Sequence, residues 1–267
     1  MHAMLNIAVR AARAAGRVIT KSYGNPQHLE IESKAHNDFV TNVDRAAEEA
    51  IIATIKKSYP KHSIMAEESG VMVGVDADYQ WVIDPLDGTT NFMRGIPHFC
   101  VSVALTVKGV PHHAAIYDPL RDELFTASRG AGAQLNGFRT RVTSPKNLEG
   151  TLLATGFPFR MKHILPEYQK LFGALFEDAA DIRRAGSAAL DLAYVACGRM
   201  DGYWEAGLKP WDTAAGELLV RESGGMVTDF AGGMNYRTSG NIVAASQKVI
   251  QPMLVKMRNE LPQSLLD

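Results

Sequence analysis

The stretch Trp81-Val-Ile-Asp84-Pro85-Leu86-Asp87-Gly88-Thr89-Thr90-Asn91-Phe92 constrains this chain more than any other. An apolar strand ends at Asp84, Pro85 forces a turn, and Asp87 follows three residues later. Gly88 then lets the backbone bend sharply into Thr89-Thr90. Two carboxylates at that spacing, with the Leu86 carbonyl between them, can meet at one point. Hard oxygen donors of this kind suit Mg²⁺ or Mn²⁺ rather than zinc. Gly88, Thr89 and Thr90 add backbone amides for an anion and hydroxyls that orient a water. Taken alone, the turn equally fits two aspartates that bond only backbone amides.

Other acids give it company. Glu67-Glu68 closes the strand-like run Ile64-Met65-Ala66, and Asp212 in Pro210-Trp211-Asp212 stands where a helix begins. Each has a plainer reading, as solvated loop acids and as a helix N-cap. Trp211 beside Asp212 implies partial burial, and a partly buried carboxylate needs a partner. Two carboxylates 4 Å apart repel by roughly 4 kcal/mol at an effective dielectric of 20. Glu67, Asp84, Asp87 and Asp212 together carry −4. Two Mg²⁺ would neutralise that charge, and a third cation would make the place attractive to a dianionic phosphate.

The rest of the chain supplies a framework. With 267 residues, 46% of them hydrophobic, it can bury a sizeable core. A formal charge of −1 gives no single-sign field, so strong direct nucleic-acid binding is not expected. Cys100 and Cys197 form neither a disulfide framework nor a zinc pattern, which suits a reducing compartment. No apolar run approaches the length of a membrane span, and the cytoplasm is the expected location.

Through Leu29 there is no acidic residue, while Arg10, Arg13, Arg17 and Lys21 recur among alanines. That pattern suits a transit peptide or an amphipathic surface helix; without an h-region or cleavage site, the helix is favoured. Its predicted span is Leu5 to Ser22, with Leu5, Ala8, Ala12, Ala15 and Ile19 on one face and Gly24-Asn25-Pro26 as its stop. A second helix is predicted over Asn42–Ser58, anchored by Ile51, Ile52 and Ile55, with Thr41 and Asp44 at capping-box spacing.

Strands are predicted at Ser63–Met65, Trp81–Asp84, Phe99–Lys108, His113–Tyr117, Leu124–Ala127 and Ala133–Leu135. Further helices are expected at Pro166–Asp178, Ser187–Ala196, Asp212–Ser223 and Lys248–Leu261. Gly70–Asp78 reads as a mobile surface loop. Helices, then strands, then alternating elements indicate an α+β layered sandwich, not a doubly wound parallel sheet.

Several motifs in order now carry a resemblance. Trp81–Phe92 resembles the first signature of the inositol monophosphatase family, and Pro210-Trp211-Asp212 through Gly224-Gly225 resembles the second. Asp38–Asp44, Glu67-Glu68-Ser69 and Gly186-Ser187-Ala188-Ala189 match at similar spacing. The resemblance spans essentially the whole chain. It implies a single domain over residues 1–267 with the layered αβαβα sandwich of the sugar phosphatases.

For the site, the resemblance implies one metal held by Glu67, Asp84 and the Leu86 carbonyl. A second would be shared by Asp84, Asp87 and Asp212, with a weaker third near Glu67. Thr89 and Glu67 would activate a water, Asp44 would accept from the Thr89 hydroxyl, and the Gly88 and Thr89 amides would hold phosphate. Glu205, Asp212 and the Gly186–Ser187–Ala188 segment would bond polyol hydroxyls. Lys34 takes the place of a family lysine at the mouth, and equally suits a solvated surface. Arg183 is assigned to substrate and Arg184 to a protein contact, while both also fit exposed solvated positions. His98, His112 and His113 carry no paired signature for a covalent route.

The implied activity is Mg²⁺-dependent hydrolysis of inositol 1-phosphate and similar polyol phosphates, inhibited by lithium at the second metal position, in a homodimer. The Arg183-Arg184-Ala185-Gly186-Ser187 run resembles a bacterial branch whose members also serve ribosomal RNA transcription antitermination. RNA polymerase or antitermination factors are therefore the alternative partners. A two-metal nuclease, the third possibility, needs a basic strip with interleaved aromatics, and neither surrounds Asp84 or Asp212.

Overall fold

A computed structural model of the chain describes residues 2–23, 29–35 and 38–266, without the side chains of residues 34, 35 and 38. Gly24-Asn25-Pro26 and the Lys34 side chain thus lie outside the described residues. The chain opens with helix α1 (Ala3–Tyr23), a two-stranded ribbon of β1 (Ile31–Ala35) and β2 (Asp38–Thr41), and helix α2 (Asn42–Ser58). There follow β3 (His62–Ala66), β4 (Gly70–Met72), β5 (Asp76–Asp87) and the short helix α3 (Thr89–Met93). Next come β6 (Cys100–Val107), β7 (Val110–Asp118), β8 (Glu123–Ser128), β9 (Gly132–Leu135) and β10 (Phe138–Arg139).

The second half holds β11 (Leu152–Thr155), α4 (Leu165–Phe176), β12 (Asp181–Arg183), α5 (Ala188–Ala196), β13 (Gly202–Glu205) and α6 (Pro210–Glu222). It ends with β14 (Met226–Thr228), α7 (Tyr236–Ser239), β15 (Ile242–Ala245), α8 (Gln247–Glu260) and α9 (Gln263–Leu266). Among the described residues no helix is long and apolar enough to cross a membrane.

Two sheets carry the fold. One runs β10-β9-β8-β7-β6-β5-β3-β4 and the other β12-β11-β13-β15-β14. The period of two along the strands divides the core into layers. Ile83, Val103 and Leu105 face one way, onto α1 and α2 with Leu5, Ala12, Ile51 and Ile55. Val82 and Ala104 face the other way, onto α5 and α6, whose Leu192 and Leu218 also meet Tyr203 and Ala244 of the second sheet. The outer face of that sheet, with Leu153, Trp204 and Val243, is covered by α4 and α8 through Tyr168, Leu171 and Met253. The order is therefore α-β-α-β-α, as the resemblance implies.

The expected face of α1 is buried at Leu5, Ala8, Ala12, Ala15 and Ile19. Its arginines stay outside, Arg13 lying over the Tyr117 ring and beside Asp122. One expectation is corrected. Gly70–Asp78 is mostly strand, with a loop only at 73–75: β4 pairs antiparallel with β3, and β5 begins at Asp76. The backbone amides of Gly74 and Asp76 donate to Ser63 Oγ and the Lys61 carbonyl, tying the segment down. Val71 of β4 and Val73 and Val75 of the link to β5 are all exposed instead of facing the core.

Candidate active site

Register brings the first acids together. β3 and β5 run parallel with Ala66 opposite Ile83, so Glu67 leaves β3 beside Asp84. Along β6, Asp84 is opposite Ser102 and Asp87 opposite Cys100, leaving an extra residue on β5 between them. This bulge falls at Pro85 and Leu86, where proline has no N–H to give the ladder. The Leu86 amide donates instead to Asp84 Oδ1 at 3.0 Å. The bulge re-aims both aspartates.

Gly88 then turns with φ 101° and ψ 33°, and α3 begins. A Cβ there would lie 3.0 Å from the His98 carbonyl oxygen and 3.1 Å from Phe99 Cβ. Gly88→Ala is therefore expected to destabilise the protein by about 1–2 kcal/mol or more from backbone strain, read as a lower urea midpoint.

Thr89 faces back across this turn. Its hydroxyl lies 3.0 Å from Asp44 Oδ1 and 3.1 Å from the Leu86 carbonyl oxygen. Asp44 serves two partners, because its Oδ2 accepts from the Thr41 amide at 2.9 Å and the Thr41 hydroxyl at 2.5 Å. The helix cap and the link to Thr89 coexist on one buried carboxylate. Glu48, one turn along α2, accepts from the Glu68 and Ser69 amides, each at 2.9 Å, and so fixes the chain that presents Glu67.

The second half supplies the opposite wall. Asp87 Oδ2 accepts from the Ser187 hydroxyl and the Ala189 amide, each at 2.7 Å, at the start of α5. Asp212 is the third residue of α6, not its N-cap, and its Oδ2 accepts from the Lys209 amide at 2.7 Å. Glu205 ends β13, with its Oε2 accepting from the Tyr203 hydroxyl at 2.5 Å. A Cβ at Gly156 would come 2.0 Å from the Glu205 carboxyl carbon, so only glycine leaves that side chain its place.

Asp84, Asp87 and Asp212 hold their protons more tightly than free carboxyls. Burial, then the charges of Glu67, Asp87 and Asp212, pushes Asp84 well up. Burial and then Asp87 do the same to Asp212. Asp87 is pushed up to about 6, chiefly by burial, against the hydrogen bonds from Ser187 and Ala189. Buried acids that raise one another are a donor set short of positive charge, and all-oxygen donors fit Mg²⁺ or Mn²⁺. Among the described residues no three such side chains are grouped tightly enough to cage an ion as they stand. The fit rests on the donor set.

One cleft of about 420 Å³ gathers the residues. Glu67, Asp84, Leu86, Asp87 and Asp212 line it, as do Gly88, Thr89 and Thr90. Gly186, Ser187, Ala188 and Glu205 complete the wall, while Asp44 lies buried behind Thr89. Arg183 is a correction. It ends strand β12 exposed and paired with Asp181, and the next residue, Arg184, lines the cleft instead. The ion pair turns Arg183 aside, and Gly186 with φ 93° bends the chain so that Arg184 lies against the opening.

Sequence reasoning also missed Asn91, Arg160 and Asp191 in the lining. Asn91 donates to the His98 and Ala185 carbonyls at 2.7 and 2.9 Å, tying both walls together. It stands inside the first motif and was legible there; Arg160 and Asp191 carry no local signal. Among the described residues no histidine lines the cleft. His113 contacts Ser128, and burial pushes it down to about 4.

The profile of the inositol monophosphatase family matches residues 1–263. The Nus factor SuhB of Escherichia coli (strain K12) is 60% identical over 265 residues, covering 99% of each chain. The crystal structure of extragenic suppressor protein suhB from Bartonella henselae has a TM-score of 0.95 at 42% identity, covering 97% of this chain and 100% of that one. The inositol monophosphatase of Anabaena (Nostoc) sp. has a TM-score of 0.86 at 39% identity, covering 98% of this chain and 97% of its own. With a match of that extent in sequence and in fold, the chain belongs to the inositol monophosphatase family.

Proposed function

We propose that the protein is a Mg²⁺-dependent phosphate monoester hydrolase acting on inositol 1-phosphate and similar small polyol phosphates. The observation that carries this reading is the convergence of buried Asp84 and Asp212 with Asp87 in one cleft, beside a Thr89 hydroxyl held by Asp44. Glu67, Asp84, Asp87, Asp212 and the Leu86 carbonyl would hold two or three Mg²⁺. When bound, the metal supplies Lewis acidity, which lowers the pKa of a water and offsets charge on the phosphate and the departing oxygen.

The chain's own groups do the rest. Thr89 points its single hydrogen at Asp44 or the Leu86 carbonyl, which leaves its oxygen lone pairs to accept from a water. Glu67 orients the same water and takes up its proton. The Gly88 and Thr89 amides, with the Thr90 hydroxyl, hold the phosphate. Glu205, Asp212 and the Gly186–Ser187–Ala188 segment fix the polyol. In this reading the oriented water attacks phosphorus directly and in line, and the ester oxygen departs without a phospho-enzyme.

Release of inorganic phosphate from inositol 1-phosphate, compared with cleavage of a single-stranded oligonucleotide, with and without Mg²⁺, tests the reading. Cleavage of the oligonucleotide alone would replace it with a nuclease. A pH effect follows from the site. The Asp87 carboxyl lies above its ordinary value of 3.8, at about 6, so the metal-free fold loses stability as pH rises through that window. Asp84 and Asp212, also raised, extend the loss further up. The gap in Tm between Mg²⁺ and chelator is thus expected to be small near about pH 5 and largest above about pH 7. A gap independent of pH would place metal binding elsewhere.

A second reading is an accessory factor of ribosomal RNA transcription antitermination, bound to RNA polymerase or its antitermination factors. It is supported by the Nus factor name of the relative at 60% identity. The two roles are compatible, and pull-down with a variant of abolished turnover separates them. The proposal carries with it a single-domain homodimer in the cytoplasm, checked by light scattering and fractionation.

A further inference from the structure

The catalytic reading leaves one acid of the cleft unused. Asp191 lies on α5, one turn beyond Ser187; it is 1% exposed and lines the cleft. Its Oδ1 is buried with no hydrogen-bond partner. A buried carboxyl oxygen in that condition costs stability unless something completes it. The start of α5 does not. The Ala189 amide and the Ser187 hydroxyl are given to Asp87, and the Leu190 amide donates to Ser187 Oγ at 3.4 Å.

A cation lines the same cleft. Arg184 acts electrostatically on both Asp191 and Glu205. The guanidinium lines the cleft beside Gly186, where an added Cβ would lie 2.8 Å from Arg184 Nη1. Among the described residues no hydrogen bond or ion pair holds it. Arg184 is therefore a cation placed at the cleft and left with its donors unspent. Glu205, by contrast, already has Tyr203 on one oxygen. The lining of the cleft thus offers a guanidinium fork and an unsatisfied carboxyl oxygen, a donor and an acceptor for adjacent hydroxyl groups.

We infer that Asp191 and Arg184 form a recognition pair for neighbouring hydroxyls of the ester's alcohol, setting preference for polyol phosphates over phosphates of plain alcohols. The inference rests on the hydrolase reading and deepens it, since it names what selects the leaving group. The pair is not needed to hold metal or phosphate. Substrate hydroxyls supply the partner that Asp191 lacks, and Arg184 donates to the oxygen beside them.

The test uses the full chain with Mg²⁺ and two esters, inositol 1-phosphate and p-nitrophenyl phosphate, whose alcohol carries no further hydroxyl. Asp191→Ala is expected to raise KM for inositol 1-phosphate about tenfold or more, the loss usual when a buried group is left without its hydrogen-bond partner. The change for the aryl ester is expected to be several-fold smaller, and Arg184→Gln is expected to shift the ratio the same way. Thermal unfolding distinguishes recognition from scaffolding. Removing an unpaired buried carboxyl should leave Tm equal to or above that of the wild type, with Asp191→Asn as the near-isosteric control. Equal losses on both esters, or a lower Tm in both Asp191 variants, would overturn the inference. Wild-type protein that hydrolyses neither ester would overturn the hydrolase reading itself, and this pair with it.

Discussion

Asp87→Asn is expected to cut phosphate release by about 10²–10³-fold while leaving the fold intact. The amide keeps the shape of the carboxylate and one acceptor oxygen, so the Ser187 hydroxyl and the Ala189 amide retain a partner at the start of α5. It removes a full negative charge from a donor set whose fit to a divalent ion depends on charge. Without metal the same change relieves repulsion, since Asp87 is among the charges that push Asp84 and Asp212 up. The variant is therefore expected to unfold at an equal or higher temperature in chelator and to gain less from added Mg²⁺ than the wild type. Calorimetric Mg²⁺ titration with steady-state turnover checks both halves. Turnover near the wild-type level would mean that the second cation lies elsewhere.

Asp87 was legible because its motif is local. The strand, the break at Pro85 and the glycine bend lie within Trp81–Phe92, and each is a short-range property of backbone sterics; the break is a bulge inside β5, which runs on to Asp87, and not the turn expected at Pro85. The α1 and α2 faces were legible for a similar reason, since helical periodicity over four or five turns leaves little ambiguity. The second sheet was not. Its strands Leu152–Thr155, Gly202–Glu205 and Ile242–Ala245 are four residues each and mostly buried. Without a polar face they do not alternate, and a short apolar run reads equally as helix or loop.

Between the two arginines, which one reaches the cleft depends on an ion pair to Asp181 and on the bend at Gly186, and no motif records either. Asp191 is hidden differently. It sits in Ala188–Ala196 among residues that are all buried, where its neighbours say only that α5 is central. Its proximity to Glu205 arises from packing of α5 against β13, a relation of tertiary structure alone.

Thr89→Ala is expected to lower kcat by about 10²-fold and to leave the affinity for Mg²⁺ close to that of the wild type. The two effects separate because Thr89 contributes a hydroxyl to the site and no carboxylate. Glu67, Asp84, Asp87 and Asp212 keep their positions through contacts that do not pass through that hydroxyl: the β3–β5 register, the Leu86 amide, Ser187 with Ala189, and the Lys209 amide.

What is lost is the link at 3.0 Å to Asp44 and, with it, the oriented oxygen facing the attacking water. Asp44 keeps both Thr41 bonds, so α2 stays capped. The bond lost at its Oδ1 costs about 1 kcal/mol, or roughly 2–4 °C in Tm. Thr89→Ser restores the hydroxyl without the methyl and is expected to recover most of the turnover. Should calorimetry of Thr89→Ala show Mg²⁺ binding abolished together with activity, the hydroxyl is holding the Leu86 carbonyl and the turn around it, at 3.1 Å, and its role belongs to the metal site instead of the water.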